Sequence, residues 1–103
     1  MNLPNEFSVT TQQHDAITGS PGRCDNCVLA RAIKRTLASI FIEVFSVEVL
    51  PYPAMREVEV VIYAPGGEAL SYCSGEQACE YAMLYDRDLP NFPVNATFDF
   101  KIK

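Results

Sequence analysis

Two cysteines three positions apart, Cys24 and Cys27, follow a Gly19-Ser20-Pro21-Gly22-Arg23 loop and precede an apolar helical pattern. That arrangement places thiols at a helix N-terminus, where unpaired amides and aligned peptide dipoles favour negative charge and depress a thiol pKa. Three kinds of chemistry fit. A C-x-x-C at a helix start suits thiol–disulfide exchange, although that arrangement ordinarily follows a buried parallel strand in a βαβ unit, and none is visible here. Cys24 and Cys27 also have zinc-ligand spacing, with His14 and Cys73 or Cys79 available to complete a tetrahedron; such a four-ligand site would be structural, not catalytic. Third, Gly22, Arg23, Cys24, Asn26 and Cys27, together with His14, can surround a small anion or a nucleotide phosphate. Against all three stands simple packing, since cysteine is often a small buried apolar residue and the glycines and proline can shape a tight entry into the helix.

Catalytic machinery is hard to assemble from the rest. His14 is the single histidine, so most histidine-based acid–base networks lack a second partner, and there is no nucleophile elbow or H-E-x-x-H. A Cys24 or Cys27 nucleophile with His14 as base would want a third, orienting group that the sequence does not point to. The expectation is a binding protein with no catalytic residue.

The elements that must position these groups belong to one domain spanning 1–103. The 103 residues are 49% apolar, with six Phe and five Tyr, enough for a core. The net charge of −5 disfavours nucleic acid as a partner. No run approaches the ~18 apolar residues of a membrane span, and Met1-Asn2-Leu3-Pro4 lacks the build of a signal peptide. The expectation is a cytoplasmic protein that does not enter membranes, with its four cysteines reduced.

Phe7-Ser8-Val9-Thr10 alternates as a strand does, and Thr10 or Thr11 can cap a helical turn over about 12–17 that stops at Gly19. Leu29, Ala30, Ile33 and Leu37 predict a helix over about 26–38, capped near Asp25. Arg31, Lys34 and Arg35 lie on its other face, as a solvated surface or a partner-binding one. The run 40–50 predicts a strand ended by Pro51 and Pro53, with Phe41, Phe45, Val47 and Val49 inward. Glu43 breaks that alternation and implies a twist, a bulge or a later start. Glu57–Tyr63 predicts a strand with Val58, Val60 and Ile62 inward, and 68–72 a further short one. Ser74 and Gln77 read as a capping box for a helix over about 75–86, buried through Ala78, Tyr81, Ala82 and Tyr85. A loop from 86 to 93 leads to a last strand with Ala96, Phe98, Phe100 and Ile102 inward. The order implies an α+β fold, a small antiparallel or mixed sheet of four to five strands with two main helices packed on it.

The segments His14-Asp15-Ala16-Ile17-Thr18-Gly19 and Cys24-Asp25-Asn26-Cys27-Val28-Leu29-Ala30-Arg31-Ala32 resemble a group of small phage and prophage proteins. In that group a histidine, a glycine and a short loop precede C-x-x-C-P-x-A-x-A. The stretch from Tyr81 through Asp86 to Phe100 resembles their C-terminal part, where a helix ends in an aromatic–Asp pair before a final strand. Val28 stands in place of the group's proline, and Arg87-Asp88 in place of its glycine turn. The resemblance implies a setting, the cytoplasm of an infected or lysogenic bacterium, more than a mechanism. The leading expectation is a phage accessory protein that binds a host protein, with Glu43, Glu48, Glu57 and Glu59 as an acidic sheet face for a basic partner surface. A small anionic ligand at the 19–27 loop and a zinc-stabilised module are the alternatives.

Overall fold

Strict alternation decides the sheet. The computed structural model describes residues 3–87 and 93–103, and in it Val58, Val60 and Ile62 of one central strand are fully buried while Glu57, Glu59 and Val61 face the other way. The chain runs β1 (Glu6–Thr10), α1 (Gln13–Thr18), α2 (Val28–Ser39), β2 (Ser46–Tyr52), a 3-10 turn (Pro53–Met55), β3 (Glu57–Tyr63), β4 (Ala69–Ser74), α3 (Glu76–Asp86) and β5 (Thr97–Ile102). The five strands form one sheet in the order β1-β5-β4-β3-β2, every neighbour antiparallel. The fold is α+β, as the element order implies. Among the described residues no helix is long and apolar enough to cross a membrane.

The sheet's inner face packs against the helices. Val60 sits opposite both Val49 and Tyr72, Ile62 opposite Val47, and Val9 opposite Phe98, so these buried residues meet across the ladder. From α2 come Leu29, Ile33 and Leu37, all fully buried, and from α3 Ala78, Tyr81, Ala82 and Tyr85. An aromatic wall closes the far end: Phe7 meets Tyr72 edge-on with ring centroids 5.0 Å apart and stacks on Phe100 at 5.5 Å. Buried hydroxyls find partners, Tyr72 donating to the Pro4 carbonyl at 2.5 Å and Tyr81 to the Pro93 carbonyl at 2.6 Å.

Several local expectations are corrected. The strand expected over 40–50 begins only at Ser46 and continues through Pro51, because residues 40–42 are used to end α2. The Phe41 amide donates to Ala38 at 3.0 Å and the Ile42 amide to Leu37 at 2.9 Å, with Phe41 in the left-handed region at φ 63°. This is the usual glycine-ended helix stop, with Phe41 where glycine is preferred. Phe41 and Phe45 therefore point outward, 98% and 75% exposed, and only Val47 and Val49 are buried.

Helix α2 starts two residues later than expected, since Arg23 and Asn26 close turns and the Cys27 carbonyl accepts the first helical bond, from Arg31 at 3.0 Å. Ser74 ends β4 opposite Val58, so Gly75 precedes α3 and no side chain caps it. Gln12, rather than Thr10 or Thr11, precedes α1, and its amide donates to the Asp15 carboxylate at 2.9 Å. Ile102 is 42% exposed rather than inward. Residues 88–92 of the expected 86–93 loop lie outside the described residues.

Candidate functional site

The 19–27 loop is fastened at every turn. The Ser20 amide donates to the Asn26 carbonyl at 2.7 Å, and the Asn26 side-chain amide donates to the Ser20 hydroxyl at 3.0 Å. Arg31 in turn donates to the Asn26 side-chain oxygen at 3.1 Å. The loop lies along β2, an edge strand, whose Val49 amide donates to the Cys24 carbonyl at 2.8 Å. Covering an edge donor this way, with Pro51 offering none, blunts the strand against pairing with another chain. From the other side the C-terminal end of α3 reaches in: Tyr85 donates to the Ala16 carbonyl at 2.9 Å, and the Gly22 amide donates to the Asp86 carboxylate at 3.0 Å. The loop and the Tyr85-Asp86 pair, distant in sequence, are thus one structural unit.

Both thiols of the C-x-x-C border an open cavity of about 220 Å³, shared with Val49, Pro51, Ala82 and Asp86. Cys24 is exposed and Cys27 buried, and all four cysteines are free thiols. Burial pushes the Cys27 thiol up to about 11, outweighing the lowering by the Ala30 and Leu29 amides, while the Asp86 charge adds to the rise. The depressed pKa that a helix N-terminus predicts is overturned at Cys27, because the loss of water around the buried sulfur outweighs the helix amides that face it.

The zinc set is not gathered. His14 is on the exposed surface of α1 and does not line the thiol cavity. Cys73 sits on the outer sheet face opposite Glu59 and Lys101, and Cys79 is buried on α3. Among the described residues no three His, Cys, Asp or Glu side chains are placed to hold a metal ion. The groups expected to meet an anion are occupied by internal ones: Gly22 by Asp86, Asn26 by Ser20 and Arg31, and Arg23 by an exposed ion pair with Asp25 at 3.5 Å.

The two charged faces also change on folding. Arg35 donates to the Asp15 carboxylate at 2.8 Å, where the Asp15 side chain is 3% exposed, and to the Thr10 carbonyl at 2.7 Å. With Arg31 on Asn26, only Lys34 of the basic trio has no role in holding the fold on these bonds. On the outer sheet face Glu48, Glu57 and Glu59 are half-buried, and Glu59 accepts from Lys103 at 3.4 Å and from the Tyr52 hydroxyl at 3.2 Å. Glu43 is not on that face at all; it belongs to the exposed 40–45 segment.

That segment, expected to be part of an inward strand, carries three of the exposed large apolar side chains among the described residues, Ile40, Phe41 and Phe45. Ile40, next in sequence to Phe41, is 50% exposed. Next to them an open groove of about 400 Å³ is lined by Phe41, Ile42, Glu43, Ala64, Pro65 and Glu68. A signal was present: Ile40-Phe41-Ile42 is three apolar residues in succession, which no half-buried strand wants. The chain matches no family model, no curated protein and no solved structure.

Proposed function

We propose that this protein is a non-enzymatic phage accessory protein that acts in the bacterial cytoplasm by binding a host protein, with the 40–45 segment as its docking element. The observation that carries the reading is Phe41: a bulky aromatic held at φ 63° and 98% exposed. A left-handed conformation costs a non-glycine residue roughly 1–2 kcal/mol, and an exposed phenyl ring returns nothing to the fold. With Phe45, 75% exposed, four positions further on, such a ring is the kind of anchor that fills a pocket at a protein interface.

The test is retention of host proteins from bacterial lysate on the immobilised chain, beside a Phe41→Ser, Phe45→Ser variant. The expected result is a partner held at micromolar concentration and lost by the variant. A chain that retains nothing, or a variant that retains the same partner equally well, overturns the reading.

A further inference from the structure

A disulfide needs two sulfurs and none of the further ligands that a metal requires. Cys24 and Cys27 are free thiols that border the same cavity of about 220 Å³, beside Val49, Pro51 and Ala82. Three residues of extended chain span about 10 Å, whereas a disulfide asks for Cα atoms about 4–7 Å apart. Here the chain is folded back: the Asn26 amide donates to the Arg23 carbonyl at 3.1 Å, closing a turn through Cys24, and α2 begins directly after Cys27. Neither of the other cysteines lines the cavity, Cys73 lying on the outer sheet face and Cys79 buried on α3. The two sulfurs also differ in access. Cys24 is exposed and Cys27 buried, so a reagent from solvent meets Cys24 first. Burial holds the Cys27 thiol up at about 11, which keeps it protonated at neutral pH and leaves the opening attack to Cys24.

We infer that Cys24 and Cys27 form a reversible dithiol–disulfide site that exchanges with small disulfides. The Cys24 thiolate attacks one sulfur of the small disulfide, whose S–S bond breaks; a mixed disulfide forms on Cys24 and one small thiolate leaves. Cys27 then gives up its proton to solvent and its sulfur attacks the Cys24 sulfur. The Cys24–Cys27 bond forms, the mixed disulfide breaks, and a second small thiolate leaves. Two protein thiols have lost two electrons and two protons, and the small disulfide has gained both as two thiols. Small thiols in excess run the same steps backwards and restore the pair. The site does not rest on the docking reading.

The experiment treats the folded, reduced chain with about 1 mM hydroxyethyl disulfide, an uncharged probe, at about pH 8. Samples are quenched with acid, digested and weighed by mass spectrometry. Cys24 and Cys27 lie between Arg23 and Arg31, so one tryptic peptide holds both thiols and an internal bond shows as the loss of two hydrogens from it. The expected course is a transient hydroxyethyl adduct on Cys24, then the internal bond, which dithiothreitol removes. In Cys27→Ser the adduct should persist on Cys24. In Cys24→Ser, at an exposed position, uptake of the probe at Cys27 should be at least about tenfold slower than at Cys24 in the unsubstituted chain. The unsubstituted chain and this exposed variant decide the matter even if Cys27→Ser folds poorly. An adduct that stays on Cys24 of the unsubstituted chain, a bond made to Cys73 or Cys79 instead, or equally fast uptake in Cys24→Ser overturns the inference.

Discussion

Gly19 lies so close under Tyr85 that a Cβ at position 19 would stand 2.5 Å from the Tyr85 hydroxyl oxygen and 2.8 Å from the Asp15 carbonyl. The glycine is there for space: its own backbone is ordinary, at φ −75°. It lets the end of α1 sit against α3, and that contact brings Tyr85 to Ala16 and Asp86 to Gly22. Gly19→Ala should therefore lower stability by about 1–3 kcal/mol in urea titrations, the usual range for overpacking. Tyr85→Phe removes the offending oxygen, so the double variant should lose less than the sum of the two singles. Simple additivity would show that the contact does not hold the loop.

Asp15 and Arg35 supply a second fastening, between α1 and α2. Removing one partner of a fully buried pair costs about 3–5 kcal/mol, and because the Arg35 side chain is 38% exposed a smaller loss of about 2–3 kcal/mol is expected for Arg35→Ala. Arg35→Lys should recover part of it, since an ammonium can meet Asp15 but not Asp15 and the Thr10 carbonyl in the same fork geometry. Thermal or urea unfolding measures both. A loss below about 0.5 kcal/mol for Arg35→Ala would place this pair with ordinary surface ion pairs.

Cys27 links stability to alkaline pH. Its thiol is raised from 9.0 to about 11 in the folded chain, so the unfolded state ionises first as pH increases. The stabilising contribution is complete below pH 9 and is lost as pH rises through 11, on the order of 2–3 kcal/mol in all. Tyr72 and Tyr81, raised by burial, act in the same direction. Urea midpoints should fall between pH 9 and pH 11, and less steeply in Cys27→Ala. An identical slope in that variant would assign the effect to the tyrosines.

The same burial separates the two thiols kinetically. An aromatic disulfide reagent should modify exposed Cys24 at least about tenfold faster than buried Cys27 in the folded chain, with the difference vanishing in urea. Single Cys24→Ser and Cys27→Ser variants assign the phases. Equal native rates would contradict the burial of Cys27.

Phe41→Gly should do two opposite things. Glycine accepts φ 63° without strain, so the variant should be more stable by roughly 0.5–1 kcal/mol, measured by urea unfolding. It should also lose the partner that the wild type retains. A variant that is destabilised would mean the ring packs on the fold rather than outward.

The alternation of Val58, Val60 and Ile62, the stripe Leu29, Ile33 and Leu37, and the buried face of α3 were legible in the residues themselves, because side-chain period in a strand or helix follows from local geometry. The sequence by itself also determined that a tight, glycine-bearing loop precedes α2. Only tertiary structure decided where α2 ends, because the choice between continuing into a strand and closing a left-handed stop depends on Ile42 finding the core beside Leu37. That choice turned Phe41 and Phe45 outward and moved Glu43 off the sheet. The fate of the charges was likewise set by distant chain: Arg35 is claimed by Asp15, and the Gly22 amide by Asp86, 64 positions away. Periodicity records which face of an element is apolar. It holds no information on which remote partner will neutralise a charge or take up a free amide, since those interactions exist only once the elements have packed.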